Sequence, residues 1–549
     1  MIGILSFVGF TALVGIISYY ATRKTDEKSS DGYFLGGRSL TAGVIAGSLL
    51  LTNLSTEQIV GLNGNAYSEG ILVMAWETLA AIAMVVTAVF LLPRYLKGGL
   101  TTVPQFLASR FDVSTKTITS ALFLTGYVVV LLPTILYSGS IAISGMFNVP
   151  EMLQVSELQA LVICVWGIGI IGSIYAVFGG LKAVAVSDSI NAIGLLIGGI
   201  LIPVFGLMTI GDGSIFEGLN ILTRENPEKF DSIGKVTDSV PFATIFTGMM
   251  LVQLFYWGTN QQIIQRALGA KNLQEGQKGL LLGSFIKILG PLIVVLPGII
   301  AWHLFEGGLE NADEAYPRLV NEVLPPYLIG FFAAVLFGAI LSSFNSVLNS
   351  SVTLFGIDIY KQHINKEANE RTTVKYGKIF GIILAVAAML IAPLIANAGS
   401  LFEYLQEVNG IYSIPILTII VVGYLTKRVP AIAAKIGVVS GSALYILSQF
   451  IMKPYFVENA LKEASANGIT DQAALSLVEA EAYPHFLHVM AILFVANVLI
   501  MLIIGAIRPR KEAYVQEYTQ QVDITPWKYT KIAGLAICAI VIAVYIYFS

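Results

Sequence analysis

The chain has 549 residues, of which 56% are hydrophobic and only 12% charged, and its mean hydropathy is +0.77. That leaves too little polar side chain to coat a soluble protein of this size, so composition excludes one and points to an all-α polytopic membrane protein. A formal charge of −3, with 32 Lys+Arg scattered through short loops, offers nucleic acid no basic face.

Met1 to Tyr20 is apolar and is followed, not preceded, by Arg23 and Lys24, which reads as an uncleaved first span with its N-terminus outside. Windows long enough to cross a bilayer, about 20 residues each, fall at 2–22, 43–62, 70–93, 115–145, 157–177, 183–209, 241–265, 277–304, 327–360, 376–397, 402–426, 431–452, 484–507 and 529–548. These are fourteen expected transmembrane helices. The short connections 63–69, 146–156 and 398–401 carry no Lys or Arg and are assigned outside. The alternate connections hold Arg38, Arg94, Lys97, Arg110, Arg266, Lys271, Lys427 and Arg428, among others, and are assigned to the cytoplasm. Both termini then face outward.

Asn53, Ser55, Thr56, Glu57, Gln58 and Glu77 fall within sequence otherwise apolar enough to span. Polar groups at that depth are costly, so they mark a solute or ion path. The second and seventh windows are interrupted alike, by Asn53–Gln58 and by the polar residues from Gln253 to Gln262. Each opens a block of five windows, and an odd count turns the second copy over. The organisation expected is an extra helix at 1–25, inverted repeats at 40–210 and 238–428, and accessory helices at 429–549. Broken helices are tolerated only where they line a cavity, so both should face a site at mid-depth.

Further along, Ala339, Ser342, Ser343 and Ser346 recur at i, i+3, i+4 and i+7 on one helix stripe. Small residues in this pattern suit close helix packing, and serines bond their own i−4 carbonyl. Hydroxyls beside the freed carbonyls of a broken helix also suit a small hard cation. Glu77 and Lys287 each cost about 2.5–3.5 kcal/mol at a span centre. They read either as solute ligands or as a structural ion pair. With Gln58, Gln253 and Gln406 the inventory mixes donors and acceptors at balanced charge, which favours a neutral polyhydroxylated solute. Trp76, Tyr256 and Trp257 could pack on a sugar ring or serve as core and interface aromatics. Asp188, in Ser187-Asp188-Ser189, could ligate a second cation or cap its helix, with capping preferred. Cys164 and Cys538 read as packing residues. The four histidines lack metal-ligand spacing, His485 and His488 reading as hydrogen-bonding groups near a helix start. No GxxxxGK loop appears, so ATP hydrolysis is not expected.

The blocks TNLSTEQIVGLNG from Thr52, AWETLAAI from Ala75, VFGGLKAVAVSDSIN from Val177, FYWGTNQQIIQRALGAK from Phe255, SSFNSVLNSSVTLFGIDIY from Ser342 and YLQEVNGIYSIP from Tyr404 carry a resemblance over nearly the whole chain. The sequence resembles sodium/solute symporters of the sodium/glucose cotransporter type, most closely the bacterial sodium/galactose branch. That resemblance implies a LeuT-like core of ten helices in two inverted halves, with Na+ as the coupling ion and no enzymatic step. It implies a sodium site made by the carbonyls of Leu51, Leu54 and Ala339 with the hydroxyls of Ser342 and Ser343. It further implies a sugar site of Gln58, Glu77, Lys287 and Gln406, with Tyr256 as inner gate and Asn53 beneath the sugar. Two positions depart from the galactose transporter, Gln253 standing for Asn and Ala80 for Ser. A second sodium would involve Asp188 and Ser346, but Asn345 stands where members with that site have a hydroxyl. The expected activity is sodium-coupled symport of a galactose- or glucose-like hexose through a plasma membrane, by resemblance a bacterial inner membrane. Symport of an inositol, sialic acid or amino acid, or a channel or sensor on the same fold, are the alternatives.

Overall fold

The computed structural model describes residues 2–22, 29–397 and 401–549. Arg23, Lys24 and most of the 398–401 connection lie outside the described residues. Among the described residues, ten helices are long and apolar enough to cross a membrane, or eleven when one bent pair counts as a single span. The second and seventh windows drop out of that number because each is split into shorter pieces, and the first enters only as the shorter apolar stretch Phe7–Tyr20.

The first helix, α1, is Ile2–Thr22. The second window is split: α2 is Ala42–Asn53, Leu54 leaves helical geometry with ψ 58°, and α3 resumes at 57–69. Asn53, Ser55 and Thr56 supply side chains that compete with the backbone ladder here. The amides of Gln58 and Ile59 both donate to Ser55 O, at 3.1 and 2.9 Å, so Leu54 O is released from its i+4 partner. After a turn at Gly70 (φ 82°), α4 runs over Ala75–Val86 and continues to Lys97. Next come α5 (Val113–Phe147), α6 (Glu157–Ile174) and α7 (Gly180–Ile210), the last two joined through Gly180, whose φ of 59° disfavours a residue with a side chain.

The seventh window is split as well, into α8 (Gly248–Gly258) and α9 (Gln261–Leu268). The amides of Thr259 and Asn260 both reach back to Phe255 O at 2.9 Å, and the Asn260 side chain then caps the Gln262 amide at 3.2 Å. The break is narrower than the polar run suggests. Gln253 and Trp257 stay helical, four residues apart, with Trp257 Nε1 donating to Gln253 Oε1 at 3.1 Å. The next helices, α10 (Leu273–Lys287) and α11 (Gly290–Leu304), bend by 50° between them, which puts Lys287 at a helix end.

Beyond the short helix α12 (Ala315–Val323) lies α13 (Pro326–Ile364), buried without interruption from Phe332 to Leu354. It packs against α1, α2, α5 and the α6–α7 run, and its Gly338, Ala339 and serines let those backbones approach. The remaining long helices are α14 (Glu370–Ile395), α15 (Leu401–Leu425), α16 (Ala431–Ala466), α17 (Phe486–Ile507) and α18 (Thr530–Tyr547), with a shorter helix at Gln472–Ala482 before α17. The 508–529 connection straps three helix ends, with Tyr514 N donating to Lys427 O at 2.9 Å, Thr519 N to Lys97 O at 3.1 Å and Leu273 N to Asp523 O at 2.9 Å.

Candidate functional site

The first break and α13 bring Thr52 against the serines of the expected ion site. Ser343 Oγ donates to Thr52 O at 3.0 Å, and Thr52 Oγ1 lies 3.4 Å from Ser342 Oγ and 3.2 Å from Ser346 Oγ. Leu51, Leu54 and Ala339 are buried in the same seam. Hydroxyl and carbonyl oxygens are gathered there, a donor set for a small hard cation, with the Arg266 guanidinium at the edge of the cluster on Ser346 Oγ. The packing role of the stripe also holds, since Ser346 Oγ donates to Ser342 O at 2.5 Å.

The solute candidates group around Lys287. Its ammonium donates to Glu77 Oε2 and to Asn53 Oδ1, forming a fully buried ion pair between α10 and α4 that reaches the first break. Gly290 opposes Glu77 so closely that a Cβ there would meet Oε2 at 2.3 Å. Gln253 Nε2 donates to Trp76 O at 2.8 Å, and the Lys287 ammonium lies 5.8 Å from the Trp257 ring centroid. Two acceptors stay open: Glu77 Oε1 and Gln58 Oε1 are buried with no partner. Tyr256 lies beside Asn53 and Gln262, and Ala80 is buried on α4. Gln406 is half-buried on α15, and among the described residues no hydrogen bond joins it to Glu77 or Lys287. A separate open cavity of about 480 Å³ lined by Tyr137, Asn148, Glu157, Glu314 and Arg318 shares no residue with this cluster. The unfilled acceptors and their chemistry mark the site better than that concavity does.

Asp188 does not cap a helix. It stands eight residues past Gly180, two turns inside α7, with its carboxylate accepting from Ser48 Oγ at 2.6 Å and lying 3.8 Å from Arg266. Arg266 Nε donates to Ser48 Oγ at 3.0 Å, and Nη2 donates to Ser346 Oγ. A guanidinium therefore already occupies both residues expected at a second sodium site, Asp188 and Ser346, while Asn345 Oδ1 has no partner. Arg266 reads in sequence as a loop charge, yet it is wholly buried at the end of α9. Arg110 is likewise buried, donating to the carbonyls of Gly423, Val429 and Thr426 at 2.9–3.1 Å. Removing Arg266 alone strands Asp188, a loss of about 3–5 kcal/mol. Arg266→Ala should lower the unfolding temperature in detergent and Arg266→Ala with Asp188→Asn should recover part of it; an unshifted single variant would dismiss the cluster as a structural element.

The first break lies against the serine stripe of α13, and the sequence that builds both belongs to one matched stretch. A model of the sodium:solute symporter family matches residues 33–441. The chain belongs to that family. The symporter is 47% identical over 543 residues to the uncharacterized symporter YidK of Escherichia coli (strain K12), covering 99% of this chain and 90% of that one. It is 32% identical over 475 residues to the sodium/glucose cotransporter of Vibrio parahaemolyticus, covering 82% of this chain and 85% of that one. Among solved structures, a Na+-coupled sialic acid symporter in a substrate-bound outward-open state aligns with TM-score 0.68 and 18% identity, over 91% of this chain and 98% of that one, and shares its LeuT-like fold. The symporter is thus a multi-pass membrane carrier coupled to Na+, not an enzyme.

Proposed function

We propose that this symporter carries a neutral hexose, galactose- or glucose-like, into the cell together with sodium by alternating access. The observation that carries this reading is the closed Glu77–Lys287 pair whose Glu77 Oε1 still lacks a partner, together with the open acceptor Gln58 Oε1 just past the first break. A carboxylated solute asks for an unpaired basic group, and Lys287 is already paired. A polyol can donate hydroxyls to the open acceptors and lay its ring near Trp257. The sodium/glucose activity named for the Vibrio relative supports the same class.

On this reading sodium sits among the carbonyls of Leu51, Leu54 and Ala339 and the hydroxyls of Ser342 and Ser343. It ties the first broken helix to α13 and so stabilises the form in which Asn53, Glu77 and Lys287 present the sugar site. Tyr256 closes that site from the inner side, and Gln406 and Gln253 complete its walls. Residues 40–210 and 238–428 act as the two inverted halves that rock past each other, residues 1–25 and 429–549 flank them, and both termini face outward from a bacterial inner membrane. A potential of about 100 mV contributes about 2.3 kcal/mol per charge, and a tenfold sodium gradient about 1.4 kcal/mol. One ion therefore sustains a sugar gradient of about several hundredfold.

Uptake into proteoliposomes under an inward sodium gradient, compared across galactose, glucose, myo-inositol, sialic acid and an amino acid, tests the proposal. Sodium-stimulated accumulation of a hexose is expected. Accumulation of only the charged solutes would overturn the sugar assignment.

A further inference from the structure

The second break is held by tyrosines from two neighbouring helices. Tyr95, wholly buried near the end of α4, donates its hydroxyl to Gly258 O at 2.9 Å. Tyr127, wholly buried on α5, donates to Asn260 Oδ1 at 2.6 Å and accepts from the Gln262 amide at 3.2 Å. Asn260 Oδ1 receives that same amide, so the Tyr127 hydroxyl is built into the cap that starts α9. Gln261 fastens the same turn to the connection between α4 and α5, its Oε1 accepting from Val103 N at 2.8 Å and its Nε2 donating to Thr101 O at 3.2 Å.

The placing of Tyr127 follows from the sequence of α5. Pro133 has no amide to offer Val129 O, and the helix widens just before it, Leu132 N donating to Tyr127 O five residues back. Wide turns of this kind are frequent at functional sites. Gly126 clears space for Tyr412 of α15, whose Cε1 would lie 2.5 Å from a Cβ at that position. Phe123 lies 5.8 Å from the Tyr127 ring, 6.1 Å from Phe255 and 6.2 Å from Tyr412, centroid to centroid. Ring packing thus holds the body of Tyr127 and leaves its hydroxyl to the break.

The two ties differ in what they join. Tyr95 joins α4 to α8, which already pack on each other, whereas Tyr127 joins α5 to the first turn of α9, where Gln262 lies beside Tyr256. Resting on the reading of Tyr256 as the inner gate, we infer that Tyr127 is the positioning residue of that gate. Its hydroxyl holds the cap of α9 against α5 and so keeps Tyr256 in its closed place until the second break moves.

Thr259, wholly buried between the two ties, reports on the break. In full-length protein carrying Thr259→Cys, with sodium on both sides and no sugar, labelling by a membrane-impermeant thiol reagent is followed from each face of oriented vesicles, against the background of Cys164 and Cys538. Tyr127→Phe keeps the ring and removes the hydroxyl, and Asn260→Ser keeps a helix cap while withdrawing the acceptor. Each should raise the labelling rate from the cytoplasmic face by about fivefold or more, the weight of one hydrogen bond, at an unfolding temperature near wild type. Tyr95→Phe should leave the rate near wild type, since α4 and α8 stay packed without its hydroxyl. Unchanged labelling in a folded variant of either kind, or an equal rise in Tyr95→Phe, would overturn the inference. A rise from the outer face alone would keep Tyr127 as the tie and reject Tyr256 as the inner gate, so the two readings fail separately.

Discussion

Ser343→Ala should remove sodium-stimulated uptake while leaving a folded protein. The hydroxyl donates to Thr52 O at 3.0 Å and is placed beside Ser342 at the first break. As a ligand to a cation it contributes on the order of 1.5–3 kcal/mol, which corresponds to roughly ten- to hundredfold in sodium affinity. As an ordinary buried hydrogen bond its loss costs only about 1 kcal/mol of stability. The two contributions separate in a sodium titration of uptake read beside an unfolding curve. A wild-type sodium dependence in the variant would remove Ser343 from the ion site.

The second large effect concerns Glu77 and Lys287. Lys287→Ala leaves Glu77 buried and unpaired, so it should lose about 3–5 kcal/mol of stability along with sugar binding. The single variant therefore does not separate a solute ligand from a structural pair. The double variant Glu77→Gln with Lys287→Gln does, because it removes both charges while keeping amides of similar size. Stability should largely return, since a matched neutral pair carries no stranded charge. Equilibrium binding of labelled hexose should stay lost, since neither the charged acceptor at Oε1 nor the ammonium is restored. Recovery of binding together with stability would make the pair structural only.

Much of this architecture is legible in the sequence because membrane depth makes polar residues expensive and therefore informative. The polar run Asn53 to Gln58 announces the first break, and the structure ends α2 at Asn53, turns the chain at Leu54 and resumes the helix at Glu57. The second break is less legible, since a run of polar side chains does not say which ones abandon the helix. Asn260 does, because it can cap α9, whereas Gln253 and Trp257 satisfy each other along one face. Lys287 reads as a mid-span residue and lies midway along the bent pair α10–α11, but the bend itself is not legible. It is the last residue of α10 before a 50° bend, and Gly290, which lets Glu77 come close, gives no sign of that partner in the sequence. Arg266 is the clearest omission. Its partners Ser48 and Ser346 are 218 and 80 residues away, so nothing local separates it from an ordinary loop arginine. Asp188 is misread for the same reason, as a helix cap where tertiary contacts make it the partner of a buried guanidinium.

The most direct test of the account is the coupling ratio, obtained by loading proteoliposomes with labelled hexose and finding the sodium gradient and potential at which net hexose flux vanishes. Coupling of one sodium to each sugar requires a balance point that moves with both gradients in that ratio. A balance point fixed by the sugar gradient alone would show that the ion and the sugar do not share a passage, and would contradict it.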